Sequence, residues 1–369
     1  MVYVFILLAM LGMRFFMPSD TDKSKRVFAI ASCLLLCFFA AFRDISVGRD
    51  TALFADVFLK LEGRTLIDAL RFSSWVEPGF RLLAWVISLF TDDPQWLVIV
   101  TSVIIHLSVS LFIYRNVKNI YLGFFFYMTM MLYPSYLCIM RQALAIAVLL
   151  FAYEALKRRR HVRFFLLVLL AASFHTSAIL FLVAPLLCLL PVNRKTMRFL
   201  LPFTALLAIC SIFFTPHAVA LFQRLFPRYA DYEATTFDAL YFYFAVFFVI
   251  TAYGIWRFYY AKDPPPSTKN GRFDEHGFLT LMMLIGVVVA AMMTRFGQIQ
   301  RIFFYFEVFY IIWLPEALPA AYYHRERRHL AVPLETLGVC LCCVAYFLVI
   351  LFTRSALWYD ALPYSFFWQ

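Results

Sequence analysis

Apolar residues run along this chain in long blocks separated by short polar knots. Phe164–Leu190, Phe199–Phe214, Leu279–Met293 and Gly338–Phe352 are examples. The two-residue alternation of an outer-membrane barrel strand is missing from them. In lipid a segment must satisfy its own backbone polar groups, so the blocks predict membrane-spanning α-helices. The expected spans are 2–17, 27–42, 95–114, 120–139, 141–156, 163–174, 176–190, 199–214, 240–256, 277–294, 301–322 and 334–352. The fold class is therefore all-α: one integral membrane domain over 1–369, a polytopic bundle of about twelve transmembrane helices with no internal repeat. The first block, Val2 to Met17, lacks a basic leader and a small-residue cleavage site and reads as a retained helix.

Composition agrees. Of 369 residues 64% are hydrophobic and 15% charged, too apolar for a soluble fold of this size. The eight cysteines all lie in or at the ends of apolar blocks, and no CxxC pair sits near histidines. Neither a disulfide framework nor a zinc site is expected, and no cofactor.

The formal charge of +11 would suit nucleic acid, but its placement argues otherwise. The clusters Lys23–Arg26, Lys157–Arg160, Arg194-Lys195 and Arg325–Arg328 each close an apolar block, as cytoplasmic loops do. With Arg115–Lys118 and the proline-rich loop 257–276, the segments assigned inside hold 20 Lys and Arg against 6 Asp and Glu. Those assigned outside hold 12 against 12. Both chain ends then lie outside. The longest outer segment is 43–94, where 51–61 and 65–72 read as amphipathic helices on the membrane surface. Pro78–Phe90 is too short to span and must lie along the surface or re-enter. Phe164–Leu190 has inside flanks at both ends, so it must go out and return. It turns near Ser173–Ser177 and holds His175 in a cavity open to the outside.

Candidate chemistry gathers on that outer side. Arg43 and Arg49 stand at a helix exit, with Asp50 beside them and Gly48 and Pro78-Gly79 marking fixed turns after it. Arg141-Gln142 opens an inward helix, and an arginine beside a helix N-terminus makes an anion site. Arg295-Phe-Gly-Gln-Ile-Gln-Arg301 packs two arginines into a very short turn, with Tyr305 on the face of Arg301. Glu307 is an intramembrane carboxylate about 240° round from Arg301; a site and an internal partner for a basic residue are equal readings. Arginine forks match phosphate oxygens, and no nucleotide-binding loop is present. A substrate already activated, lipid-bound and presented on the outer face would fit.

At these residues the sequence resembles the EpsG family of Wzy-type polysaccharide polymerases. The resembling pieces are Arg43 with Val47–Thr51, Glu77-Pro-Gly-Phe80, Arg141-Gln-Ala-Leu-Ala145, Ala171–Ala178 around His175, Arg301 with Tyr305, and Leu362-Pro-Tyr364-Ser-Phe. The resemblance implies an inverting glycosyltransferase similar to the multi-helix GT-C class in the bacterial inner membrane. It would join undecaprenyl-diphosphate-linked oligosaccharides, as donor and acceptor, at the periplasmic face into O-antigen, capsule or exopolysaccharide. A chain-length regulator would be a further partner. In that reading His175, with Glu77 and Asp50 behind it, activates the acceptor hydroxyl. Arg141, Arg295 and Arg301 hold the leaving diphosphate, and Arg43, Arg49, Gln142 and Tyr305 complete the diphosphate and glycan contacts. No metal is expected. Two rivals stand beside it. A carbohydrate O-acyltransferase would need a donor route from the cytoplasm, such as a His–Asp pair near the inner face, and His161 has no nearby acid; a lipid-linked oligosaccharide flippase would need basic residues along a central path, whereas here they sit at one surface.

Overall fold

A computed structural model describes residues 1–17, 21–72, 75–225, 238–262, 269–270, 273–319, 322–324, 329–331, 333–358 and 360–369. The prolines at 264–266 in the expected loop 257–276 and the basic cluster 325–328 lie outside the described residues. The chain forms two compact units, Met1–Leu182 with Pro319–Gln369, and Val183–Leu318.

The first unit contains α1 (Val2–Phe16), α2 (Asp22–Ala41), α3 (Thr51–Leu61), α4 (Leu66–Arg71), α5 (Pro78–Ser88), α6 (Gln95–Asn116), α7 (Ile120–Thr129), α8 (Leu132–Cys138), α9 (Met140–Lys157), α10 (His161–Phe174) and α17 (Leu334–Trp358), with a short ribbon of β3 (Tyr322–His324) and β4 (His329–Ala331). The second contains α11 (Ala184–Leu187), α12 (Arg194–Leu225), α13 (Asp238–Tyr259), α14 (Glu275–Met293), α15 (Gln300–Glu307) and α16 (Tyr310–Ala317), with a ribbon of β1 (Lys269–Asn270) and β2 (Phe273–Asp274). Among the described residues α2, α6, α12, α13, α14 and α17 contain segments long and apolar enough to cross a membrane; α1, α7, α10 and Thr176–Leu187 are shorter apolar helices.

The expected amphipathic helix at 51–61 is α3, and the one at 65–72 is α4. Pro78 at the first helical position starts α5, where its missing N–H costs nothing. Indole Nε1 of Trp85 on α5 donates to the Arg64 carbonyl at 2.9 Å, tying α5 to the turn between α3 and α4.

Two expected single spans are corrected. Segment 120–139 breaks between α7 and α8, where Met131 takes a left-handed φ of 63°. Pro134 in the first turn of α8 supplies no N–H to a preceding helix and suits a new helical start. Every residue of α8 is buried, the condition under which irregular backbone is tolerated at membrane depth. Segment 301–322 likewise divides into α15 and α16, with Ile311 and Ile312 bonding back three residues and Pro315 inside α16. By contrast the expected span 199–214 belongs to a longer helix, α12, of 32 residues.

α10 stops at His175, where the turn was expected, and that residue's backbone is extended (φ −152°, ψ 114°). Thr176–Val183 continues as a 3₁₀-helix. A 3₁₀-helix rises about 2.0 Å per residue against 1.5 Å for an α-helix, so this short arm reaches further than an α-helical one would.

Candidate active site

The motifs around Glu77, Arg141 and His175 meet at the end of α10. Glu77 caps α5 by its backbone, but its side chain does not bond that helix. An N-cap side chain ordinarily accepts from the first turn. Here the carboxylate turns away to pair with Nη1 of Arg141, at the start of α9. Its other oxygen, Oε1, accepts from the Thr176 amide at 3.2 Å and the Thr176 hydroxyl at 3.5 Å. One carboxylate therefore joins the N-terminus of α9 to the residue following His175.

Close packing of α5 on α10 makes this reach possible. A Cβ at Gly79 would lie 2.7 Å from the Ser173 carbonyl oxygen, so only glycine allows the approach. The imidazole Nδ1 of His175 lies 2.8 Å from Oγ of Ser177. The histidine backbone is fixed on both sides: its N–H donates to Ala171 O at 3.0 Å, and its carbonyl accepts from Ala178 N at 2.9 Å.

Arg141 is held over two rings as well. Its guanidinium carbon lies 4.6 Å from the Trp75 ring centroid and 5.1 Å from that of Phe54 on α3. The Arg141 and Glu77 side chains are 8% and 15% exposed, so the pair lies just under the surface, where water weakens a charge interaction less than in the open. Trp75 is 46% exposed and forms the outer cover. Neither aromatic stood out in the sequence; the available signal was a tryptophan two positions before Glu77 in a polar segment. Gln142 follows Arg141 and is buried.

Arg43 has a different position from the one expected of a diphosphate ligand. It is 1% exposed. Nε donates to Val47 O at 3.2 Å, Nη1 to the Ala40 carbonyl and to Ser102 Oγ at 2.7 Å, and Nη2 to Leu137 O at 3.0 Å. The side chain thus ties the end of α2, the following loop, α6 and α8 together. Burial lowers its pKa. Gln95 at the head of α6 donates to the Ala41 and Arg43 carbonyls, both at 3.0 Å.

Gly48 completes this tie with φ of 102°; a Cβ there would lie 2.7 Å from Leu137 O. The C-terminal segment laces over the same loop. Asp44 N–H donates to Ser365 O and Gly48 N–H to Asp360 O, each at 2.9 Å, and the Tyr364 hydroxyl donates to Phe39 O at 2.7 Å. Burial raises the Tyr364 pKa, with the Arg43 charge pulling the other way. Arg49 is exposed, and Asp50 is the N-cap residue of α3, one turn before Phe54.

In the second unit, Arg295 follows α14 in a half-buried turn. Arg301 is exposed on α15, and Tyr305 is buried one turn further along. Glu307 meets a hydroxyl: its Oε1 accepts from the Tyr243 hydroxyl of α13 at 2.5 Å. The same unit contains a pair the sequence reading missed. His276 Nε2 and Glu316 Oε2 lie 2.5 Å apart, with side chains only 7% and 4% exposed. Its signal was an acid inside an apolar segment, Trp313-Leu-Pro-Glu316. Among the described residues no three His, Cys, Asp or Glu side chains group as metal ligands.

Against known proteins, the chain matches the model of the EpsG family over residues 26–366. No curated protein and no solved structure matches it.

Proposed function

The chain belongs to the EpsG family, a Wzy-type polymerase family, and on that premise we propose an inverting glycosyltransferase of the bacterial inner membrane. It joins undecaprenyl-diphosphate-linked oligosaccharide repeat units at the periplasmic face. The carrying observation is the Glu77 carboxylate shared between Arg141 and Thr176, the residue next to His175. It sets a cationic fork and an imidazole-bearing turn side by side, and the proposed reaction needs both.

In the reaction an acceptor sugar hydroxyl attacks the anomeric carbon of the donor. The new C–O bond forms as the bond from that carbon to the diphosphate oxygen breaks, and its electron pair leaves with lipid diphosphate. His175 takes the hydroxyl proton. The leaving anion develops charge in the transition state, where fixed positive groups contribute most; Arg141 is assigned there. Glu77 is engaged with a cation, which makes it a weak competitor for the base's role and a natural positioner of Arg141. Asp50 remains the reserve base, and Arg49 and Gln142 the glycan contacts. Arg43 acts by holding the loop.

The test is purified protein in liposomes with lipid-linked repeat unit alone. A ladder of polymer on a gel is expected. Movement of the lipid across the bilayer without bond formation would instead make the protein a flippase.

One observation favours a second reading. The O-acyltransferase alternative asks for a donor route from the cytoplasm, such as a His–Asp pair near the inner face, and His276–Glu316, a histidine–glutamate pair, has its histidine at the end of the loop 257–276 whose charge assigns it inside. That pair is almost wholly buried, with Phe258 against the imidazole at 4.8 Å between centroids. Substrate would need an opening to reach it.

A further inference from the structure

A cavity of about 220 Å³ lies among α1, α2, α7 and α17, away from the candidate active site. Its walls are almost wholly apolar: Leu7, Leu11, Phe28, Phe125 and Leu337 contribute to them. Leu11 and Leu337 are 44% and 43% exposed, so the cavity opens on the outer surface of the helices. That surface faces lipid in a spanning bundle.

Polar groups gather at one end. Arg14, Asn119 and Thr336 are part of the lining and stand respectively in the last turn of α1, at the N-cap of α7 and in the first turn of α17. The charge pattern assigns all three helix ends to the inside. Arg14 is held in place there: Nη1 donates to Met17 O at 2.9 Å, and its guanidinium carbon lies 3.8 Å above the Tyr121 ring centroid. Lys23, Lys25 and Arg26 follow in the first turns of α2, and Lys118 precedes Asn119.

We infer that this cavity is a binding site for an anionic glycerophospholipid of the cytoplasmic leaflet. Part of one acyl chain lies against Leu7, Leu11 and Phe125, and the phosphate lies at Arg14. Three features select this occupant. The walls offer almost nothing to a polar ligand. The one charged lining residue is a cation at the interfacial end, among further lysines and arginines, which is the arrangement basic pockets between helices use for anionic headgroups. The volume falls below the roughly 300–1,000 Å³ of a pocket enclosing a whole drug-sized ligand, as expected when only a length of one chain enters. The inference is independent of the polymerase reading, since the site shares no residue with Glu77, Arg141 or His175.

Native mass spectrometry of the full chain in detergent tests it. The probes are a phosphatidylglycerol, a phosphatidylcholine of the same acyl chains, and undecaprenyl phosphate. Wild-type protein should retain phosphatidylglycerol over phosphatidylcholine. Arg14→Gln should cut that preference about fivefold, the effect of one interfacial cation, and Arg14→Lys should keep it. Leu11→Trp, which fills the mouth and leaves the charge, should weaken both phospholipids together; it also serves if Arg14→Gln does not fold. Equal retention of the two phospholipids would overturn the inference. So would phosphatidylglycerol binding untouched by Arg14→Gln and Leu11→Trp. Undecaprenyl phosphate bound best and lost with Arg14 would assign the cavity to the substrate's carrier chain instead.

Discussion

Glu77 and Arg141, 64 positions apart, form a shallowly buried ion pair at the meeting of α5 and α9. Separating the partners exposes two roles. Glu77→Gln keeps an acceptor for the Thr176 amide and loses the charge that orients the guanidinium. Arg141→Lys keeps the charge and loses the planar fork that stacks on Trp75. Each variant should lower polymer yield by about 10²-fold, as expected when a stabiliser of developing charge is misplaced, with protein level unchanged. Because the residues act as one unit, the double variant should be little worse than the poorer single one. Full activity in Arg141→Lys would reduce the residue to an interface anchor.

Gly79 should tolerate no side chain. Gly79→Ala places a methyl 2.7 Å from Ser173 O, and backbone cannot retreat as a flexible side chain can. The cost should be about 1–3 kcal/mol, seen as a lower unfolding temperature in detergent together with weaker polymer formation. Gly338→Ala on α17 is the control, since nothing lies within 4 Å of a Cβ there. Equal behaviour of the two variants would remove the close α5–α10 approach as a requirement of the site.

Arg43→Lys should act through folding. The guanidinium reaches four acceptors on α2, the following loop, α6 and α8, and a lysine cannot span them. A loss of about 1.5–3 kcal/mol is expected, the range for hydrogen bonds to a charged group. The fraction of protein that remains folded should keep its specific activity. A stable variant with lost activity would return Arg43 to the substrate contacts.

Much of this arrangement was legible along the chain. Hydrophobic blocks marked the helices, since lipid forces each segment to satisfy its own backbone. Pro78 marked the start of α5, and the polar run Ser173–Ser177 marked the end of α10. Single-residue breaks were not legible. Met131 takes a left-handed φ inside an apolar run, and only packing on every side makes that possible. The roles of Arg43 and Arg141 were inseparable in the sequence too. Both are arginines at helix ends, and what differs is the partners: carbonyls and a hydroxyl around one, a carboxylate and two rings around the other. Those partners lie up to 94 positions away for Arg43 and up to 87 for Arg141, from Phe54 to Arg141, beyond the reach of local pattern.

The outer assignment of α3 can be checked directly. Lys60 is exposed at the end of that helix and its ammonium pairs with Asp56 at 2.5 Å. A Lys60→Cys substitution in a background freed of the eight native cysteines should react with an impermeant thiol reagent added outside intact cells. Reaction only after the cytoplasm is opened would invert the topology, and with it the proposed face of catalysis.

His175 should act on the acceptor hydroxyl and not on folding. Its backbone bonds to Ala171 and Ala178 hold the turn whatever the side chain, and its imidazole Nδ1 meets the nearby Ser177 hydroxyl. Glutamine can keep a hydrogen bond to that hydroxyl but cannot take up a proton. His175→Gln should therefore fold, bind lipid-linked repeat unit as wild type does, and polymerise about 10²–10⁴-fold more slowly, the usual cost of removing a general base. Ser177→Ala removes only the partner that orients the ring and should cost less. Suppose instead that glutamine retains a sizeable share of the rate. The imidazole then orients the sugar, and proton acceptance passes to Asp50 or Glu77. The two carboxylates separate cleanly, because Glu77→Gln also frees Arg141 from its partner whereas Asp50→Asn leaves that pair intact. A rate lost in Asp50→Asn with the Glu77–Arg141 pair undisturbed would identify Asp50 as the base.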